Sequence, residues 1–247
     1  MMKKLLILLM LFWLGAGQAI ASGEGELVAG SGVDVFDEAA RQSGAKWFVN
    51  YCLSCHSANY MRYNRLAEDL GLSTDQVHEN FIFDNRRMGS AMTIAMDKED
   101  AELWFGQEPP DLSLIGRSRG ADWIYAYLRS FYVDDTGGWN NLLLPNVSMP
   151  HVLWEMQGIQ RAVFHTETDA NGNDTAVFDH FEMIRAGSMT EEEYDLVARD
   201  LATFFEYLGD PARLKRKAIG WKVVAFLVFL TFVSYLLKVE YWRDIKH

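Results

Sequence analysis

The chain has 247 residues, 49% of them hydrophobic, and a formal net charge of −11. That length and apolar content allow one sizeable domain with a true core. The negative balance excludes a nucleic-acid-binding role, because a polyphosphate backbone would be repelled.

Residues 1–21 have the pattern of a secretory signal. Lys3 and Lys4 form a charged start, Leu5 to Leu14 an apolar run, and Ala19-Ile20-Ala21 an A-x-A cleavage site. The apolar run is too short to span a bilayer comfortably. From Ser22 to Asp210 the chain carries 32 acidic and 13 basic side chains, a net charge of −19. Such a field either steers a basic partner or simply keeps the domain soluble.

Asp34 to Tyr51 is expected to be helical, with Val35, Ala39, Gln42 and Ala45 running into Trp47, Phe48 and Tyr51. Gly44 weakens its middle and leaves two shorter helices as an alternative. The helix feeds Cys52-Leu53-Ser54-Cys55-His56, which has the form C-x-x-C-H, the attachment signature of c-type haem. Two thiols three positions apart can add to two vinyl groups on one porphyrin edge, and the adjacent imidazole can reach the iron. The chain's two cysteines are both in this pentapeptide. A disulfide across two residues would be strained. A redox dithiol would follow a strand in a βαβ unit, and zinc would need more ligands. Covalent haem also agrees with export, since bacteria attach it outside the inner membrane.

Ser57 to Leu72 is expected to continue as helix, and residues 73–104 as short helices or loops around a cofactor, with no convincing strand period. Pro109-Pro110-Asp111-Leu112-Ser113 is the next informative stretch. A haem-ligating histidine usually gives its second ring nitrogen to a carbonyl, and Pro109 or Pro110 can offer one on a rigid turn. Arg117 and Arg119 are candidate cations for a buried haem propionate, or else surface arginines. Asp122 to Tyr132 is expected to be a short amphipathic helix ending in the Asp134–Gly138 loop.

A six-coordinate electron-transfer haem commonly pairs histidine with methionine. Met149-Pro150 is the favoured source, because the proline keeps Met149 out of a helix. Met88, Met92 and Met96, and His151 as a second imidazole, are the rivals. Val163 to Phe178 suggests a small β-hairpin around a polar turn. Thr190-Glu191-Glu192-Glu193 is a capping box opening a helix with an apolar face from Tyr194 to Leu208. This helix should pack against the one before the haem motif. Ala218 to Leu237 is long and apolar enough to cross a membrane, with basic residues on both sides. The cluster at 213–217 could also meet anionic headgroups.

The order of these features resembles the cytochrome c1 family, the haem c subunits of quinol–cytochrome c oxidoreductase (bc1) complexes. The residues that carry the resemblance are Cys52-x-x-Cys55-His56-Ser57 with Tyr60 and Tyr63-Asn-Arg-Leu66, then Pro109-Pro110-Asp111-Leu112-Ser113, then Met149-Pro150, then Met189 through Leu208 into Arg213 and the anchor. The resemblance implies a mainly α cytochrome c-type haem domain with loop insertions, a small hairpin and one C-terminal transmembrane helix. Its implied divisions are a signal peptide at 1–21, a periplasmic haem domain at 22–212, a span at 218–237 and a cytoplasmic tail at 238–247. It implies one haem c held by Cys52 and Cys55, ligated by His56 and Met149, with Arg117 or Arg119 meeting a propionate; Pro110, or Pro109, stays the candidate support for His56 from the residue chemistry above. It implies a single-pass protein of the bacterial inner membrane, in a dimeric complex with cytochrome b. Electrons would come from the Rieske iron–sulfur protein and go to a soluble cytochrome c. The chain would be a redox subunit with no catalytic site of its own. A free-standing tethered cytochrome and a haem sensor with an open sixth position are the competing readings.

Overall fold

In this computed structural model, residue 28 and residues 30–94, 96–168, 172 and 174–244 are described; the expected signal segment lies outside them. The described residues form nine α-helices and three two-stranded antiparallel hairpins, so the domain is mainly α as expected.

Helix α1 (Glu38–Trp47) begins where the Asp37 side chain accepts the N–H of Ala40, a standard use of aspartate as a cap. It then loosens into one π turn, Phe48–Cys52, in which Leu53 N–H reaches back to the Phe48 carbonyl. Ala45, Phe48 and Val49 are buried. The face they share lies against helix α8 (Glu191–Gly209): the Phe48 ring sits 5.5 Å from Phe204 and 5.7 Å from Phe205. Gly44 lies at the crossing, where a Cβ would stand 2.0 Å from the Asp200 carbonyl oxygen. The glycine that weakens α1 as an isolated helix is thus what lets the two backbones meet, and α1 stays continuous.

The stretch after the haem motif departs from the expected helix. Ala58–Arg62 is strand β1, and helix α2 (Tyr63–Asp69) starts only after it. The partner of β1 is β2 (Ala91–Met92), reached after helix α3 (Thr74–Phe81), which Ser73 and Gln76 open with a capping box. Ala58 and Met61 are the buried residues of β1, with a register irregularity between Ala58 and Arg62. A bulge of this kind gives a strand the three-residue spacing of a helix.

Helix α4 (Lys98–Phe105), the single turn α5 (Ile115–Ser118) and α6 (Ala121–Arg129) follow. Strands β3 (Phe131–Val133) and β4 (Trp139–Asn141) pair across the Asp134–Gly138 turn, where Asp134 Oδ1 accepts N–H groups of Thr136 and Gly138. A short helix, α7 (Trp154–Gln157), leads into β5 (Gly158–Thr168) and β6 (Asp174–Ala186). That hairpin was expected to be small; it pairs from Gly158 opposite Ala186 to Thr168 opposite Asp174, with register shifts between Ile159 and Gln160 and between Val163 and Phe164. Most of its residues are exposed or half-buried, so no alternation of polar and apolar residues announced its length.

Thr190 and Glu193 close the expected capping box at the start of α8. After Pro211 the chain enters α9 (Ala212–Trp242), a 31-residue helix with mean hydropathy 2.0 over its most apolar stretch and nothing buried there. It is long enough to cross a membrane, and begins six residues before the expected span. The basic residues at its base face carboxylates of the domain. Lys215 pairs with Glu68 at 2.8 Å, Arg216 with Asp210 at 2.5 Å and Arg213 with Glu206, while Lys217 lies over the Phe36 ring.

Candidate haem-binding site

The haem motif leaves the π turn in tight hydrogen-bonded steps. Cys55 N–H and His56 N–H both bond to the Cys52 carbonyl, at 3.0 and 2.8 Å. Cys52 is buried and Cys55 half-buried, and neither is in a disulfide. Burial, helped by Cys55, pushes the Cys52 thiol up to about 12. Redox dithiols work the other way, with a lowered thiol pKa, so the microenvironment argues against that reading.

The Pro109–Ser113 turn is fastened to the motif at several points. Asp111 Oδ2 accepts the Asn59 N–H at 2.8 Å, and Asp111 Oδ1 accepts the Ser113 N–H at 2.9 Å. Ser113 Oγ accepts the Tyr60 N–H at 3.0 Å, and Leu112 N–H donates to the Ser57 carbonyl at 2.8 Å. The result is that the Pro110 carbonyl stands 2.8 Å from His56 Nδ1. A protonated Nδ1 there leaves Nε2 as the free lone pair. Burial lowers the His56 pKa, against smaller opposing effects of the Pro110 carbonyl and the Asp111 charge, which favours the neutral, metal-binding form.

Opposite lies the Met149 loop. Asn141, fully buried, donates through Nδ2 to the Tyr127 carbonyl at 2.8 Å and accepts the Leu143 N–H at 2.9 Å. Asn140 Oδ1 accepts the Asn146 N–H at 2.8 Å. These bonds fix the turn that carries the chain to Ser148-Met149-Pro150.

One cleft joins the two halves. Its walls include Cys52, Cys55, His56, Pro110, Met149 and Pro150, and it encloses about 660 Å³ including its open mouth. Its donor set is a thiol pair, an imidazole with its far nitrogen engaged and a thioether, in an apolar setting, which fits haem c. The rival methionines do not line this cleft: Met92 is fully buried in the core, Met88 packs against the core and Met96 lines a separate hollow beside Phe83. His151 does not line it either. It is buried and stacked 4.8 Å from Phe131. Arg117 and Arg119 are exposed and also lie outside the cleft wall. The Arg119 guanidinium covers the Trp123 ring at 4.9 Å, and Trp123 stacks on Tyr127 at 4.9 Å. Sequence reasoning missed Asp111, Ser113 and Ser57 as the fasteners of the turn, although Asp-x-Ser is a recognisable turn pattern. It also missed Tyr127.

A C-x-x-C-H pentapeptide set against a methionine loop is the pattern of a class, the c-type cytochromes. Sequence comparison narrows it: the pattern of the Cytochrome C1 family matches residues 30–245, and the chain belongs to this family. It is 44% identical to cytochrome c1 of Allochromatium vinosum, over 99% of this chain and all of that one. It is 43% identical, with the same coverage, to a Nitrosomonas europaea protein named ammonia monooxygenase gamma subunit. Cytochrome c1 of Rhodospirillum rubrum is 26% identical over 86% of this chain and 84% of its own length. The family consists of membrane-anchored, covalent haem c electron-transfer subunits of bc1-type complexes.

Proposed function

We propose that this chain takes single electrons from a Rieske iron–sulfur protein and delivers them to a soluble c-type cytochrome, as the haem c subunit beside cytochrome b in a dimeric quinol–cytochrome c oxidoreductase. The observation that carries the proposal is the cleft shared by Cys52, Cys55, His56 and Met149. Cys52 and Cys55 would hold one haem c as thioethers, and His56 and Met149 would ligate its iron. Haem c supplies a one-electron couple when bound. The chain's own residues hold and shield it. The Pro110 carbonyl fixes the ring orientation of His56. Tyr51, Phe105 and Val152 line the cleft and exclude water. Pro150 keeps Met149 out of a helix. The propionate cation falls to Arg119 rather than Arg117, because Arg119 lies on the ring stack that leads to Met149, whereas the Arg117 backbone packs against Gly209 of α8.

The haem domain sits on the periplasmic side of a bacterial inner membrane, with α9 supplying its single span and residues 238–247 forming the cytoplasmic tail. Purification in mild detergent tests the assembly: cytochrome b and an iron–sulfur protein co-purify with the chain. Recovery as a lone monomer would support a tethered carrier instead, and recovery with monooxygenase subunits would place it with the Nitrosomonas relative. Mass analysis of the processed chain tests the site: one added haem mass is expected, and it should be absent when Cys52 and Cys55 are both replaced by alanine. Ferrous protein that bound carbon monoxide readily would argue for an open sixth position.

A further inference from the structure

The Tyr127 hydroxyl donates to Met149 Sδ at 3.6 Å, a normal separation for a bond to the large sulfur atom. Several features hold the phenol there. Its ring stacks on Trp123 at 4.9 Å with a 12° interplanar angle and meets the Phe131 edge at 5.0 Å. The Tyr127 carbonyl is tied to Asn141 Nδ2 in the loop that leads to Met149. Arg119 closes the far end of the stack over Trp123.

We infer that Tyr127 is a positioning residue that acts through Met149 and sets how strongly its thioether can donate to a metal. The inference rests on Met149 being the iron ligand proposed above. A thioether sulfur has lone pairs to share. An O–H pointed at one of them withdraws electron density from the other. Ferric iron needs that donation more than ferrous iron does, so the hydrogen bond disfavours the oxidised, methionine-bound state. Hydrogen bonds near a haem ligand are among the means by which a protein sets its potential.

Tyr127→Phe, made in the full-length, haem-loaded protein, removes the hydroxyl and keeps the ring stack. The reduction potential should fall. Exogenous imidazole should displace Met149 from the ferric protein about fivefold less readily, the equivalent of one ordinary hydrogen bond of about 1 kcal/mol. The sign separates this role from simple packing: a hydroxyl that only props the loop would, when lost, make displacement easier. Easier displacement, or an unchanged potential and imidazole affinity, overturns the inference. Met149→Leu is the companion variant. If it keeps the parent's sulfur-to-iron charge-transfer band, the ligand assignment fails and Tyr127 has nothing to act through. If it loses the band while Tyr127→Phe leaves both readouts unchanged, the inference about Tyr127 alone fails.

Discussion

The carboxylate of Asp111 accepts the backbone N–H of Asn59 at 2.8 Å, bridging two segments that the sequence holds 52 positions apart. Its other oxygen holds the Ser113 N–H. The bridge carries the Pro110 carbonyl to His56. Asp111→Ala leaves both N–H groups without their acceptor, at a cost of about 1–2 kcal/mol for an exposed pair of bonds. It also frees the carbonyl from the imidazole. The expected result is a thermal midpoint lower by several degrees, together with a shifted haem potential. Asp111→Asn keeps one acceptor oxygen and should recover part of both. A melting curve and a redox titration matching the parent would show that the turn holds itself.

Gly44→Ala should be far more damaging than its size suggests. The new methyl would stand 2.0 Å from the Asp200 carbonyl oxygen and 2.7 Å from Phe204 Cβ. Backbone cannot rotate away as a side chain can, so α1 must move off α8. Overpacking of this kind costs about 1–3 kcal/mol and sometimes more. Because α1 runs straight into the turn that presents Cys52, haem content per chain should fall as well. Gly220→Ala is the control: nothing lies within 4 Å of the added carbon, and alanine is the better helix former. Equal thermal midpoints for the two variants would contradict the close crossing.

These two glycines show what the sequence could and could not tell. Gly44 was legible as an oddity in a helix, but its reason is a tertiary crossing that only the fold reveals. The capping box at Thr190 and Glu193 was legible outright, because both its bonds are local. The haem pentapeptide and the Pro109-Pro110 turn were legible because their chemistry fixes residue types and order, although that chemistry does not choose which proline carbonyl meets His56. Strand β1 was not: its buried pair, Ala58 and Met61, has helical spacing. The β5–β6 hairpin was visible only around its tip, since its exposed strands carry no period. Tyr127 lay within the helix expected over Asp122–Tyr132 with no role of its own, because a hydrogen bond to residue 149 leaves no mark on local pattern.

Asp200 gives a pH test of the same helix pair. Burial raises its carboxyl pKa, with Asp37 adding to the rise and Ser43 and Arg199 opposing it. A folded pKa above the unfolded one means that the native state prefers the protonated form. Its contribution to stability is then present below the ordinary aspartate value, about 4, and is lost as pH rises through the folded value. At pH 7 the ionised carboxylate is therefore a cost. Asp200→Asn should melt higher than the parent at pH 7, and the gap should close as pH falls towards 4. A gap independent of pH would mean that the charge is not the cause.

Tyr207 and Asp69 form a part-buried polar contact at the edge of the domain core. The Tyr207 side chain is fully buried and its hydroxyl donates to Asp69 Oδ2 at 3.0 Å. That carboxylate is 3% exposed and also takes the Arg65 Nε–H at 3.0 Å. Burial, and then the charge of Asp69, pushes the Tyr207 phenol pKa up, so it remains a donor. Tyr207→Phe keeps the ring between Phe204 and the core but leaves a buried carboxylate one donor short. Losing a bond to a charged, enclosed acceptor costs about 1.5–3 kcal/mol, or roughly 3–12 °C in thermal midpoint for a domain of this size. The haem spectrum should not change, because neither residue lines the cleft. In an Asp69→Asn background the same substitution should cost less, since the acceptor is then neutral, and the difference measures the coupling. Equal costs in the two backgrounds would show that the hydroxyl serves packing alone.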